Sequence, residues 1–256
     1  MAVISLKPIK KTYRRGEAVI NGVSLYDRGI KVSKRPAMTY PSRSADYYIV
    51  PGRDGFYTID HDSYGERSPF NLELSVYAAN EEEMEAKRAY LASLIGAQVA
   101  LELYNHPYST FLGTVSEMSN IEESVALGNS YTVTLTFKLQ PYRQVRHDNK
   151  NVTVNRGDSF VIPYGKLHLV LTLDGPGGDV SFSFGGVQYS YKGVPSGKLV
   201  VDILHMRSYL KEGYNETNMS HTKEARNKSY PSYQSGQVIT WSANYSMTAA
   251  LDWRAL

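Results

Sequence analysis

From Tyr131 to Leu139 the chain alternates without a break: Tyr131, Val133, Leu135, Phe137 and Leu139 are separated by Thr132, Thr134, Thr136 and Lys138. Successive side chains of a strand point to opposite faces, so this period of two buries one face and wets the other. The run is built from β-branched and aromatic residues, which suit a half-buried pleated surface. It commits this part of the chain to a β-sheet with one covered face.

The same signature recurs around it. Val99, Leu101 and Leu103 alternate, Thr110 to Val115 reads as a further strand, and so does Asn71 to Val76. Asn21-Gly22 lies between the apolar Ala18–Ile20 and Val23–Leu25, a strong short-range hairpin signal. Pro51-Gly52-Arg53-Asp54-Gly55 predicts a turn, with strands at Tyr47–Val50 and Phe56–Ile59. From Lys31 to Val50 the chain is basic and interrupted by Pro36 and Pro41, which forbid central-strand pairing and predict a projecting or edge element. One helix is predicted over Asn80–Ile95. Asn80 can cap it, Glu81, Glu82 and Glu83 meet the positive end of its dipole, and Gly96 closes it. Its stripe of Met84, Leu91, Leu94 and Ile95 is read as core packing.

Pro141-Tyr142-Arg143 ends the alternating run, and the mostly polar Gln144–Val152 follows, so a domain boundary is expected at 141–150. Beyond it, strands are expected at Asn151–Val154, Phe160–Ile162, Leu167–Leu173, Val180–Phe184, Val187–Tyr191, Leu199–Ile203, Val238–Trp241 and Met247–Trp253. Short strands at such spacing predict a sandwich. Arg207–Ser235 is polar and tyrosine-rich and reads as a long loop, either a functional surface or an edge region. A chain of 256 residues is long enough for two domains with separate cores, 1–141 and 150–256, in a mainly β protein.

Composition narrows function more by exclusion. The 21 Tyr against 7 Phe suit half-buried sheet surfaces and interfaces, where a ring packs and its hydroxyl stays wet. A net charge of +3 gives no argument for global nucleic-acid binding. Lys7, Lys10, Lys11, Arg14 and Arg15 form a basic cluster with no acid among them, read as a loose, solvated terminus without a role. The absence of Cys excludes disulfides and thiolate zinc sites and suits a protein made in a reducing cytosol. No apolar run approaches the roughly 18 residues of a membrane span.

No catalytic, metal or cofactor site emerges. Gly175-Pro176-Gly177-Gly178 lacks the third glycine of a dinucleotide loop, Val180 standing in its place, and reads as a hairpin turn. The six His are scattered, and adjacent His61-Asp62-Ser63 cannot form an acyl-transfer triad, whose members come from separated segments. No pair of carboxylates is singled out for glycoside hydrolysis. Tyr189, Tyr191, Trp241 and Trp253 could stack on sugars, but in alternating strands they read as core.

Several local strings, in order, resemble the distal tail protein (Dit) family of phages with long non-contractile tails. They are Ile20-Asn21-Gly22-Val23, Tyr26-Asp27-Arg28-Gly29-Ile30, Val50 to Gly55, Tyr230-Pro231, Gly236 to Trp241 and Leu251-Asp252-Trp253-Arg254, with Gln237 where the family commonly has Asn. The resemblance implies a homohexameric ring joining the tail tube to the baseplate or tail-tip host-recognition apparatus of a virion assembled in the host cytoplasm. It implies a first β-sandwich with one α-helix and a projecting β arm, and a second sandwich that is galectin-like or carbohydrate-module-like. The arm, with Tyr40, Arg43, Tyr47 and Tyr48 as oligomer-interface candidates, would close the ring. Neighbours would be the tail tube protein, the tail-associated lysin or spike and, in some phages, receptor-binding proteins, with no sequence-specific nucleic acid and no cofactor. The main rival is a carbohydrate-binding module or adhesin recognising host-wall sugars; a wall hydrolase is not favoured.

Overall fold

The computed structural model describes residues 2–48, 57–123, 129–184, 187–203, 205, 207–213, 215–219, 233, 235–242 and 244–256. The protein is mainly β, and among the described residues Glu81–Ser93 is the one α-helix. The chain divides into two compact units, Lys10–Gln144 and Val145–Ala255, and the first nine residues fold with the latter.

In the unit Lys10–Gln144, strands Val23–Ser24, Ala18–Ile20, Gln98–Leu103, Ser109–Met118 and Ser130–Val145 are successive neighbours. Ser130–Val145 also pairs antiparallel with Arg67–Tyr77, which in turn pairs with Ile30–Val32. The expected alternation is realised: Tyr131, Val133, Leu135, Phe137 and Leu139 are all buried, in one core with Phe70, Leu72, Leu74 and Val76. Asn21 and Gly22 both take positive φ, 50° and 82°, as the tight turn between Ala18–Ile20 and Val23–Ser24 requires. Gly113 answers a different demand. A Cβ there would lie 2.2 Å from the Lys138 carbonyl oxygen, so only glycine lets the two strands come this close.

The helix forms for the reason its sequence suggests. Asn80 is extended and its side-chain oxygen accepts the Glu83 N–H at 2.8 Å, while Glu83 reaches back to the Ala79 N–H at 2.6 Å. Met84, Leu91 and Leu94 are buried in the core, but Ile95 is 46% exposed. The helix ends at Ser93, so Ile95 leaves its phase and instead bridges to Val115.

Three expectations change here. Pro141 does not end its strand, which continues to Val145. Leu139 pairs with Arg67, the first residue of the neighbouring strand, so Pro141 lies past the end of that ladder. Lys31 and Lys34 belong to the body of the unit: Ile30–Val32 pairs with Leu74–Val76, and Lys34 Nζ lies 3.4 Å from Glu73. The basic N-terminus is not loose either. Val3–Ser5 pairs in parallel with Ser159–Val161, Leu6 is 1% exposed, and the Ile9 N–H donates to Arg146 at 2.8 Å. Lys11 then pairs with Glu102 at 2.7 Å, and Arg14 with Glu17 and Asp27.

The other unit is a sandwich. One sheet runs, in antiparallel order, Asn215–Asn218, Arg207–Glu212, Gly197–Asp202, Lys166–Gly175, Ser246–Ala255 and Asn151–Val154. The second contains Val187–Val194, Gly178–Phe184 and Thr240–Trp241. Leu167, Leu169, Leu171 and Leu173 from the first share one core with Phe182, Tyr189, Tyr191 and Trp241 from the second. Arg207–Ser235 is thus not one loop. Its start folds as an edge hairpin whose register runs from Tyr209–Asn218 to Glu212–Asn215, and 220–232 lie outside the described residues.

Candidate assembly surface

Strand Arg43–Tyr48 pairs antiparallel with Tyr57–Tyr64, from Arg43 against Tyr64 to Tyr48 against Tyr57, with a register slip between Ser44 and Ala45. The two form a sheet of their own and make no ladder with any other strand among the described residues. Both strands reach further from the turn than the sequence suggests, and the turn Pro51–Gly55 lies outside the described residues. Tyr47 and Tyr48 stand on the first strand, Arg43 starts it, and Tyr40 precedes it, 81% exposed. A hairpin with unpaired edges is an adhesive element, suited to pairing with another chain.

Arg67 anchors its base. It is 3% exposed, and its guanidinium donates from Nε to the Pro141 carbonyl at 3.0 Å and from Nη1 to the Thr39 carbonyl at 2.8 Å. One side chain thereby fixes the segment entering the hairpin against the strand Ser130–Val145, which needs the five-donor fork of arginine. The cation sits 5.9 Å from the Tyr40 ring and 6.0 Å from Phe111, and His106 meets Phe111 edge-on at 5.5 Å. Tyr64, at the end of the hairpin, packs edge-to-face on Tyr142 at 5.9 Å. Burial and then the charge of Arg143 lower the Arg67 pKa; burial, then Arg143, Arg35 and Arg67 lower that of His106. Nothing in the sequence singles out Arg67, since an Arg at the start of a strand ordinarily reads as solvated.

The remaining sequence candidates are placed as follows. Among the described residues no group of three or more His, Asp or Glu side chains is placed to hold a metal. His61-Asp62-Ser63 lies along the hairpin strand Tyr57–Tyr64. Gly177 and Gly178, with φ of 93° and 100°, make the tight turn between Lys166–Gly175 and Gly178–Phe184. Tyr189, Tyr191, Trp241 and Trp253 are all buried, and the two indoles donate to the carbonyls of Tyr245 (2.8 Å) and Tyr164 (2.7 Å), so they offer no sugar-stacking face. No helix among the described residues is long and apolar enough to cross a membrane.

The fold is similar to that of a phage distal tail protein. The particular likeness is to the crystal structure of the SPP1 Dit (gp 19.1) protein, described as a paradigm of the hub adsorption apparatus in phages infecting Gram-positive bacteria. It covers 94% of this chain and 99% of that one, with a TM-score of 0.69 and 16% identity. A chain of the phage P2 baseplate in its activated conformation with calcium matches over 89% of this chain and 91% of that one, with a TM-score of 0.51 and 9% identity. No family model and no curated protein sequence matches the chain.

Proposed function

We propose that the protein is a structural distal tail protein of a long-tailed phage, whose copies form a homohexameric ring joining the tail tube to the baseplate or tail-tip host-recognition apparatus. The observation that carries this reading is the likeness to SPP1 Dit over nearly the full length of both chains, both units included. The free hairpin supports it independently. A closed ring is held by a heterologous contact, in which a projecting element of one copy meets a different surface of the next. The hairpin Arg43–Tyr64 is such an element, with Tyr40, Arg43, Tyr47 and Tyr48 as interface residues. The role is scaffolding, not catalysis. Its neighbours are the tube protein, the tail-associated lysin or spike and receptor-binding proteins, in a virion made in the host cytoplasm, and the sandwich Val145–Ala255 is a galectin-like module on the ring's outer side.

Negative-stain images of the purified protein should show six-fold rings with a central hole; monomers at all concentrations would overturn the reading. Replacing Ser44–Ser63 with a short Gly/Ser turn should give a folded monomer by light scattering and circular dichroism. Intact hexamers would remove the hairpin from the interface.

A further inference from the structure

We propose that the solvent face of the sandwich Val145–Ala255 carries a docking groove for a segment of a partner protein that is acidic and aliphatic. This goes beyond the ring reading and stands whether or not copies of the chain associate. Strands Lys166–Gly175, Gly197–Asp202 and Arg207–Glu212 build the groove, and their register puts its residues on one face. Thr172 stands opposite Val200, Val200 opposite Tyr209, and Lys198 opposite Lys211. The alternating residues Leu171, Leu173, Leu199, Val201 and Leu210 fill the core on the other side.

Val170, Thr172, Val200, Tyr209, Lys198 and Lys211 themselves line the groove. Val200 is 4% exposed although it stands on the face away from the core, so the aliphatic floor is recessed beneath its neighbours. The Tyr209 wall is held in place. The Arg207 guanidinium lies 5.1 Å from its ring, and Arg207 is itself held by Asp202 at 3.3 Å and Glu216 at 3.8 Å. A groove fixed in this way needs little ordering when a ligand enters.

The lining selects the ligand. Lys198 and Lys211 are direct cross-strand neighbours, and like charges so placed repel. No acidic side chain lines the groove among the described residues. Asp174 and Glu216 stand beyond the two lysines in the register, but Glu216 approaches Arg207 instead, and neither lysine shares an ion pair with them among the described residues. An anion set between the two ammonium groups removes the repulsion, and Val170, Val200 and Tyr209 require an apolar group beside that anion. An Asp or Glu next to an aliphatic side chain meets both demands. A glycan fits less well, because its hydroxyls call for carboxylate or amide groups that accept hydrogen bonds, whereas lysine only donates, and no such group is among these lining residues.

The test selects binders to the full chain from a library of random decapeptides and measures the affinities of the recovered peptides by fluorescence anisotropy. Recovered sequences should place Asp or Glu beside Leu, Ile or Val. The Lys198→Glu, Lys211→Glu double variant should bind them about tenfold or more weakly, because like charges then meet. Lys198→Arg with Lys211→Arg should stay within about threefold because the charge is kept. Val170→Ser should weaken binding without changing its salt dependence, which separates the aliphatic floor from the charge. Circular dichroism of each variant shows whether it is folded, and Lys198→Gln with Lys211→Gln gives the same comparison if the charge reversal unfolds the sheet. Recovered peptides without acids, or peptides that bind the folded charge-reversed protein as tightly as wild type, would overturn the groove. So would tighter, lysine-dependent binding of hexagalacturonate or of a single-stranded oligonucleotide, which would assign it to a glycan or a nucleic acid. None of these outcomes bears on the ring, and a monomeric wild type that still binds the peptides would remove the ring and leave the groove.

Discussion

Tyr233 shows how much one hydroxyl can hold. Its ring is buried edge-on to Phe160, and its oxygen accepts the Phe160 N–H at 2.7 Å and donates to the Gln237 carbonyl. Tyr233→Phe keeps the shape but leaves the buried Phe160 N–H without an acceptor, so denaturant unfolding should show a loss of about 1 to 3 kcal/mol. A loss below about 0.5 kcal/mol would mean that water reaches this amide. Histidines act through protonation. Burial is the first cause that holds His106 and His168 below their ordinary value of 6.5. A depressed folded pKa means that the unfolded chain takes up the proton first. Stability is therefore full above about pH 6.5 and falls as pH drops toward the folded values. Urea midpoints at pH 7.5 and 5.5 should differ in that direction, and the His106→Gln, His168→Gln double variant should reduce the slope.

At the scale of the element, the helix Glu81–Ser93 carries its stability in two places, the Asn80 cap and the apolar side chains Met84 and Leu91. Leu91 is fully buried, so Leu91→Ala should cost about 2 to 5 kcal/mol in a denaturant titration. The same change at Ile95 falls on a side chain already 46% exposed and should cost much less. Strand Ser130–Val145 makes the complementary point. Its alternation is strict enough to read its buried face from sequence, whereas the hairpin Arg43–Tyr64 is set apart by pairing with no other strand among the described residues. Pairing partners are a non-local property that no run of residues declares.

On the scale of the whole molecule, the first nine residues fold with a unit whose remaining sequence begins at Val145. Val3–Ser5 adds a parallel strand to Ser159–Val161, Asp158 accepts the Ala2 N–H at 2.7 Å, and Leu6 enters the core with Phe160. Leu6→Ala should therefore destabilise the distant sandwich by about 2 to 5 kcal/mol. In calorimetry, the transition of Val145–Ala255 should move to lower temperature while that of Lys10–Gln144 stays. Movement of only the Lys10–Gln144 transition would contradict the pairing.

Local rules are legible in the residues themselves: the buried face of Tyr131–Leu139, the Asn21-Gly22 turn, the capped helix and the sandwich pattern after Val152. Each depends on periodicity, or on a φ that one or two residues supply, and such signals lie within a few positions of one another. The rest comes from long-range packing. Packing carries a strand through Pro141, joins Val3–Ser5 to a partner more than 150 positions away, and buries Arg67 between two carbonyls at the base of the hairpin. Those outcomes depend on which groups meet across the fold, and the long-range contact that rewards a strand or a buried charge leaves no trace in the residues beside it.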